Sequence, residues 1–213
     1  MEISAFDLDY TLIQGNSSAS FCKYLYQNGA IPFSTVVYSI FYSLRHKFFG
    51  MSLADLHESV FERLLLGKPL EMLEKYVDKF VHEYLEEALY MPAVMRLRRA
   101  QQLGHYTMIL SNAPSFLVKR FAKVLGVNSY HATEYATDEN NCFQKIKSIL
   151  EGKDKAKLLK AMAKKMDIFL EQITTYSDSV LDLEFLEAAG NPIAVNPDKK
   201  LRAISLKNDW RII

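Results

Sequence analysis

The chain has 213 residues, 49% of them hydrophobic and 12% aromatic, so it can bury the core of one domain or of a domain with an insertion. Its 26 Lys and Arg residues against 25 Asp and Glu residues exclude an overall field that would favour nucleic acid or an anionic membrane, and any attraction for a charged ligand must be local. Cys22 and Cys142 belong to no CxxC or Cys/His cluster, which argues against a disulfide framework or a zinc site. Because the N-terminus has no basic region before an apolar run, we expect no signal peptide and a cytoplasmic protein.

The first predicted element is a short buried strand at residues 2–7, and the segment 16–89 that follows has helical periodicity throughout. Its clearest helix has apolar residues at spacings of three and four between residues 70 and 88. The most membrane-like stretch, residues 30–49, loses its uncharged character at Arg45, short of the roughly 20 residues that a spanning helix needs. We therefore expect a buried or cleft-lining helix there and no stable membrane insertion, with membrane contact as the less favoured alternative.

After residue 90 the pattern changes to alternating helices and strands, with a hairpin through residues 138–141. The predicted strands are 106–111, 129–134 and 192–196, and 173–179 is predicted as a strand leading into a turn. The predicted helices are one ending near 102 and others at 115–125, 154–166 and 180–189. Such alternation indicates βαβ units and a mostly parallel sheet. The sequence thus predicts a doubly wound, Rossmann-like α/β core made of residues 1–15 and 90–213, with a helical bundle inserted at 16–89.

Polar side chains follow several of the predicted strands at the end where ligands gather in a doubly wound sheet. These residues are Asp7, Asp9, Ser111, Asn112, Asp178 and Asp182. Lys155 lies at a helix start, which is unfavourable for a cation unless an anion binds there, and Lys153 is chemically an equal candidate. The combination of carboxylates and lysine predicts a metal ion and a phosphate.

The predicted chemistry follows from the repulsion among several carboxylates at one point. A divalent cation such as Mg²⁺ relieves that repulsion and binds carboxylate and carbonyl oxygens. One carboxylate could then attack phosphorus, while another protonates the leaving oxygen. Each residue alone is explained equally well as a helix cap, a strand end or an exposed side chain. Their order and their placement at successive strand or helix ends favour a common site.

In sequence order these motifs resemble those of the haloacid dehalogenase superfamily, in its phosphoserine-phosphatase-like branch. DLDYT at 7–11 resembles the first motif of that family. The resemblance implies that Asp7 is the nucleophile and that Asp9 is the acid/base, its backbone carbonyl also reaching the metal. Because a phosphate ester needs a protonated leaving group and a carbon–halogen bond does not, Asp9 implies a phosphatase.

The later motifs continue this resemblance to the end of the chain. Ser111 in ILSNA resembles the residue that hydrogen-bonds the transferring phosphoryl group, and Lys155 in GKDKAKLL resembles the lysine that neutralises its charge. Asp178 and Asp182 in YSDSVLD resemble the acidic motif that binds Mg²⁺, so the implied metal set is Asp7, Asp9, Asp178 and Asp182. In this branch a helical cap is inserted after the first motif, where the bundle 16–89 is predicted.

Two departures from the family pattern concern the substrate. The segment IQGNSSAS at 13–20 lacks the glutamate that binds the ammonium group of phosphoserine. In the block 50–67 the expected arginine position falls on Ser59, and Arg63 lies one helical turn later. A site without partners for these charges binds such a substrate weakly, so we do not expect free phosphoserine. The candidate substrate contacts are Ser17, Ser18, Arg63 and Asn112.

The function expected from the sequence is Mg²⁺-dependent hydrolysis of a small phosphorylated metabolite through an aspartyl phosphate. A phosphotransferase would use the same intermediate, and a non-catalytic phosphate-binding regulatory module would use the same pocket without turnover. We expect no nucleic-acid partner, and either a monomer or a homodimer.

Overall fold

The computed structural model describes the backbone of all 213 residues and the side chains of all except residues 46–48. The strands are β1 (Ile3–Phe6), β2 (Tyr106–Pro114), β3 (Ser129–Thr137), β4 (Phe143–Ser148), β5 (Ile173–Ser177), β6 (Asn191–Ala194) and β7 (Arg211–Ile212). They form one sheet in the order β4-β3-β2-β1-β5-β6-β7, parallel except for the antiparallel pair β3–β4. Strand order reverses at β1, so the prediction of a doubly wound parallel sheet is confirmed.

Helices connect these strands and cover both faces of the sheet. The helices are α1 (Ser17–Gln27), α2 (Phe33–Phe49), α3 (Leu53–Leu64), α4 (Leu70–Ala88), α5 (Met91–Gln102), α6 (Ser115–Leu125), α7 (Gly152–Lys165), α8 (Leu183–Glu187) and α9 (Lys199–Lys207). Strand β1 is buried along its whole length because its side chains alternate between the two covered faces. Phe6 joins the hydrophobic cluster on one face, whereas Ile3 and Ala5 join the cluster on the other.

The four helices α1 to α4 lie between β1 and α5 in the chain, within the segment predicted to be the cap. Their buried side chains are continuous with the cluster that covers the sheet. Phe80 of α4 lies 5.1 Å from Phe21 of α1 and 6.4 Å from Phe121 of α6, measured between ring centroids. The helical segment therefore rests on the core through aromatic packing, and the proposed boundaries at 16 and 89 stay a prediction.

The structure departs from the predicted elements in three places. The helix predicted at 180–189 is a 3-10 helix, Val180–Asp182, followed by the short α8. Helix α9 and strand β7 were not predicted. Helix α9 is rich in lysine and buries few side chains, so its apolar periodicity is weak. The Asp198 carboxylate caps α9 by accepting two backbone N–H bonds.

The third departure is the helix predicted within residues 30–49 as buried or cleft-lining. Burial is wrong for the apolar side of α2, which is exposed. In the part of the chain that the structure describes, no helix is both long enough and apolar enough to cross a membrane.

Candidate active site

The carboxyl ends of β1 and β5 bring Asp7 and Asp178 to the same edge of the sheet. The two strands are parallel neighbours with Phe6 opposite Tyr176, so Asp7 is level with Ser177 and Asp178 follows one residue later. The Asp7 backbone N–H donates to the Tyr176 carbonyl at 2.9 Å. The rings of Phe6 and Tyr176, in the last part of the two strands, stack with their centroids 4.2 Å apart.

Lys155, in the first turn of α7, joins two of the predicted acidic residues. Its Nζ lies 2.7 Å from Asp7 Oδ1 and 2.7 Å from Asp182 Oδ2, and all three side chains are buried. Gly152 permits this approach, because a Cβ there would lie 2.3 Å from the carbonyl oxygen of Leu181 in the neighbouring turn. The geometry therefore distinguishes two chemically equivalent lysines, since Lys153 is exposed and pairs with a surface glutamate.

Asp182 is held from a second direction by Ser177, which the sequence analysis did not select. The fully buried Ser177 hydroxyl donates to Asp182 Oδ2 at 2.7 Å. That oxygen thus accepts from both Ser177 and Lys155. The available signal was a small polar residue at the buried end of β5, directly before Asp178, but serine is too common at strand ends to be informative alone.

A tight turn after β1 places Asp9 against the N-terminus of α1. The Ser17 backbone N–H donates to Asp9 Oδ1 at 2.9 Å, and the Asn16 side chain caps the helix by accepting from Ala19 N–H. The other oxygen, Asp9 Oδ2, is buried and has no hydrogen-bond partner among the described residues. One oxygen of Asp9 is therefore fixed by the fold, and the second is left for a ligand or a proton.

The same turn contains an unusual backbone conformation at Tyr10. Its φ of +57° lies in the left-handed region, which costs a bulky residue about 1 kcal/mol or more, and its side chain is half exposed beside Asp9. The next residue, Thr11, is buried, and its hydroxyl lies 3.4 Å from Asp178 Oδ1. Thr11 thus links the turn after β1 to the carboxylate after β5.

Burial and mutual repulsion raise the pKa values of these carboxyl groups. Burial raises the pKa of Asp7 well above its usual value; Lys155 opposes this effect, and the nearby Asp182 and Asp178 add to it. Burial also raises the pKa of Asp178 to about 7, with Asp182 contributing. Burial raises the pKa of Asp9 to about 6, although hydrogen bonds from Ser17 oppose the shift.

Lys155 responds in the opposite sense to the same environment. Burial alone would lower its pKa, but the carboxylates of Asp182 and Asp7 outweigh burial and raise it, so Lys155 stays charged. The site also contains the carboxyl groups of Asp178 and Asp9. One ammonium group cannot neutralise all four carboxyl groups. The site therefore has a deficit of positive charge.

These residues fit a bound Mg²⁺ ion in their chemistry. Among the described side chains, no three His, Cys, Asp or Glu residues are gathered tightly enough to hold a metal alone. Mg²⁺ does not require such a set, because it commonly uses one or two carboxylates, waters and the substrate phosphate. The charge deficit around Asp7 and Asp178 and the unpartnered oxygen of Asp9 match those requirements.

The remaining predicted site residues differ in where they lie. Ser111 is fully buried in β2, the strand next to β1, and its hydroxyl accepts the Ala113 N–H at 3.2 Å. Asn112 follows it with a partly exposed side chain, and its carbonyl accepts from Thr133. Both therefore lie in the strand adjacent to Asp7.

The candidate contacts from the helical segment are less closely connected to the carboxylates. Ser17 contributes its backbone N–H to Asp9, and Ser18 is partly exposed in the first turn of α1. Arg63 is exposed near the end of α3, and its guanidinium lies 5.6 Å from the centre of the Tyr38 ring. Its recorded contact is thus to another helix of the same segment rather than to the carboxylates.

A separate cavity of about 260 Å³ lies beside Gln14 and Gly15, just beyond the turn. Two acidic residues of α4, Glu83 and Glu87, line it together with Tyr84. Carboxylates repel a phosphate, so this cavity is unsuited to the phosphoryl group.

Comparison with known proteins identifies the family. The sequence model of the haloacid dehalogenase-like hydrolase family matches residues 5–187. The chain therefore belongs to the haloacid dehalogenase-like hydrolases, and the family predicted from its motifs is confirmed.

Two relatives resemble nearly the whole chain. The chain is 26% identical to a Streptomyces azureus protein named inhibition of morphological differentiation protein, over 98% of this chain and 76% of the relative. It is 24% identical to a histidinol-phosphatase of Neisseria meningitidis serogroup C, over 99% of this chain and 97% of the relative.

Two solved structures share the fold. A Bordetella pertussis Tohama I protein of unknown function has a TM-score of 0.87 at 22% identity, covering 99% of this chain and 97% of the other. A phosphoserine phosphatase, solved as an analogue of its phospho-aspartyl intermediate, has a TM-score of 0.67 at 18% identity, covering 99% and 91%. At these identities the likeness supports the fold and the predicted phosphoserine-phosphatase-like architecture.

Proposed function

We propose that this hydrolase cleaves the phosphomonoester bond of a small phosphorylated metabolite in a Mg²⁺-dependent reaction through an aspartyl phosphate on Asp7. The observation that carries the proposal is the arrangement of the Asp7 carboxylate. Its Oδ1 accepts from Lys155 at 2.7 Å, while its Oδ2 accepts no hydrogen bond from the described residues. One oxygen is therefore oriented and the other remains available to a substrate.

In the first half of the proposed reaction, Asp7 Oδ2 attacks phosphorus and the bond from phosphorus to the leaving oxygen breaks. Asp9 donates its proton to that oxygen, so an alcohol leaves. In the second half, water attacks the phosphorus of the aspartyl phosphate and Asp9 accepts the water's proton. The Asp7 carboxylate is then restored, and inorganic phosphate is released. A pKa of about 6 suits Asp9 to both proton transfers near neutral pH.

Other side chains would hold the phosphoryl group during these steps. Lys155 has the charge and the position to contact a phosphoryl oxygen beside Asp7, and Ser111 lies in the strand next to β1. Asp182 is also among the predicted metal ligands, and its Oδ2 accepts from both Lys155 and Ser177. We propose that these contacts make it a positioning residue for Lys155.

Asp7 and Asp178, with the Asp9 backbone carbonyl, are the proposed Mg²⁺ ligands. Bound there, the ion would neutralise the repulsion between carboxylate and phosphate and polarise a phosphoryl oxygen. The raised pKa values of Asp7 and Asp178 support this assignment, since an added cation would stabilise both ionised carboxylates.

The relatives of this chain and its departures from the family's substrate-binding pattern indicate the substrate class. Among the relatives are a histidinol-phosphatase and a phosphoserine phosphatase, both named for small phosphorylated metabolites. The segment 13–20 lacks an acid for the phosphoserine ammonium, and Arg63 is stacked on Tyr38. A small phosphomonoester other than free phosphoserine therefore fits best.

The proposal is tested by turnover of p-nitrophenyl phosphate with Mg²⁺ or EDTA present. We expect Asp7→Asn to lower kcat by at least about a thousandfold, because the amide cannot act as the nucleophile. The matched control is Asp167→Asn at an exposed position, which should turn over like the wild type. Robust Mg²⁺-dependent turnover by Asp7→Asn would contradict the mechanism.

Product analysis separates hydrolysis from phosphoryl transfer. With simple alcohols added, a hydrolase releases one phosphate for each p-nitrophenol. A phosphotransferase would release less phosphate than p-nitrophenol and form a new phosphate ester. A stable phosphorylated protein without turnover would instead indicate a phosphate-binding regulatory module.

A further inference from the structure

Helix α2 exposes its apolar side and turns a more polar side toward the protein. Five residues at spacings of four, three, one and three form one stripe along the helix, which we call the α2 stripe: Phe33, Val37, Ile40, Phe41 and Leu44. Each is between 47% and 60% exposed. An amphipathic helix on the surface of a globular protein normally has the opposite orientation, with its apolar stripe facing the core.

The packed side of α2 has polar contacts where apolar ones are usual. Thr35 is buried, and its carbonyl accepts the Ser39 hydroxyl at 3.0 Å. Ser39 Oγ in turn contacts the Cys22 Sγ of α1 at 3.7 Å. The main packing partners of α2 are α1 and α3, so the helix lies at the outside of the helical segment. The orientation of α2, with its apolar stripe outward, therefore follows from the way it packs on α1 and α3.

The charged residues of α1 and α2 are all basic, whereas the neighbouring α3 carries Asp55, Glu58 and Glu62 as well as Arg63. Residues 10–54 include Lys23, Arg45 and Lys47 and no Asp or Glu, although the whole chain is nearly neutral. Arg45 is exposed at the edge of the stripe, with its guanidinium 5.9 Å from the centre of the Phe41 ring. An arginine in such a place can cover apolar surface with its stem and present its charge to an anion.

We propose that the α2 stripe docks on the surface of an anionic lipid bilayer. Helices of this kind lie in the plane of the interface, with apolar side chains at the boundary of headgroups and acyl chains and with basic residues at the headgroups. In this arrangement the stripe enters that boundary and Arg45 contacts lipid phosphates. The helix does not span the bilayer.

A second copy of the chain is a weaker candidate for the occupant. A stable specific dimer usually buries about 800 Å² on each partner, which five half-exposed side chains of one helix do not supply. A bilayer needs neither shape complementarity nor a large protein footprint, and it attracts the one-signed charge of residues 10–54.

Flotation of the purified full-length protein with lipid vesicles tests the proposal. We expect binding to phosphatidylcholine vesicles containing about 30% phosphatidylglycerol, and weaker binding to phosphatidylcholine alone. Phe33→Ser and Phe41→Ser should each weaken partitioning about tenfold, because each removes apolar area from the contact. Arg45→Gln should weaken binding to the anionic vesicles severalfold and leave binding to neutral vesicles unchanged.

The matched control is Phe169→Ser, which removes a phenylalanine that is 70% exposed outside the stripe and should bind vesicles like the wild type. Absence of wild-type flotation with either vesicle, or equal flotation of the stripe variants, would overturn the proposal. Sedimentation velocity tests the alternative occupant. If the wild type does not bind vesicles but forms a dimer, and the same substitutions dissociate that dimer, the stripe would be assigned to a second copy. Turnover of p-nitrophenyl phosphate should persist in every stripe variant, so failure here is distinct from failure of the proposed chemistry.

Discussion

The carboxylate site and the α2 stripe both depart from the ordinary distribution of side chains, in opposite directions. At the ends of β1 and β5 the protein buries charged groups, whereas on α2 it exposes aromatic and aliphatic ones. The buried charges have partners at short distance, such as Lys155 at 2.7 Å from Asp7. The α2 stripe has no comparable intramolecular cover among the described residues. The first departure is therefore compensated within the chain, whereas we propose that the second is compensated by an external partner.

The largest expected effect concerns that internal compensation. Lys155→Met removes the cation that contacts both Asp7 and Asp182, and leaves two buried carboxylates without it. We expect the free energy of unfolding, measured in EDTA near pH 8, to fall by about 3–5 kcal/mol. The exposed Lys153→Met is the control and should change it by less than about 0.5 kcal/mol. Equal stability of the two variants would mean that the buried ion pairs contribute nothing to the fold.

The next effect is the pH dependence of stability without metal. Asp9, with a pKa of about 6, and Asp178, with a pKa of about 7, bind protons more tightly in the folded chain than at their ordinary value of 3.8. Their contribution to stability is thus complete below about pH 4 and is lost as pH rises through those folded values. We expect a loss on the order of 3 kcal/mol between about pH 4 and pH 8, measured by urea unfolding in EDTA.

Two comparisons isolate this effect from the rest of the chain. Asp178→Asn should flatten the profile, and Asp167→Asn at an exposed position should leave it unchanged. Added Mg²⁺ should raise the melting temperature more at pH 8 than at pH 5, because it binds the ionised carboxylates. A stability that climbs steadily across this range in EDTA, with no response to Asp178→Asn, would contradict the raised pKa values.

Motif order and strand ends were sufficient to predict much of the site from sequence. Asp7 and Asp178 lie at one edge of the sheet because parallel neighbours end together, which a pattern of alternating strands already implies. The choice between Lys153 and Lys155 needed the resemblance, since both open the same helix. Ser177 was not predicted because its role depends on a contact with Asp182 across a turn, which local sequence does not specify.

The fold shows the same limit at two other elements. Helix α9 was missed because its stability comes from the Asp198 cap and from docking of Leu201, and not from a long apolar periodicity. For α2, periodicity predicted the helix but not which side is buried. Hydrophobicity alone predicts the apolar side inward, and the opposite orientation becomes visible only when Thr35 and the α2 stripe are located in space.

A smaller effect is expected at Ser177. Ser177→Ala removes one of the two hydrogen bonds to Asp182 Oδ2 and leaves the bond from Lys155. We expect a loss of about 1–2 kcal/mol in the free energy of unfolding and a severalfold decrease in kcat, because Lys155 is less firmly positioned. Ser43→Ala, whose hydroxyl donates to a backbone carbonyl on the exposed α2, is the control and should be nearly neutral. If both serine variants behaved alike, Asp182 would not depend on Ser177.

A still smaller change in stability is expected at the α2 stripe. Phe41→Ser removes a side chain that is 53% exposed, so little apolar area returns to water when the chain unfolds. We expect its free energy of unfolding in the absence of lipid to lie within about 0.5 kcal/mol of the wild type, as for ordinary surface substitutions. The same measurement with anionic vesicles should show the wild type, and not the variant, gaining stability, because a partner that binds only the folded chain stabilises it. A large loss of stability without lipid would instead assign Phe41 to the core, and the α2 stripe would then need no external partner.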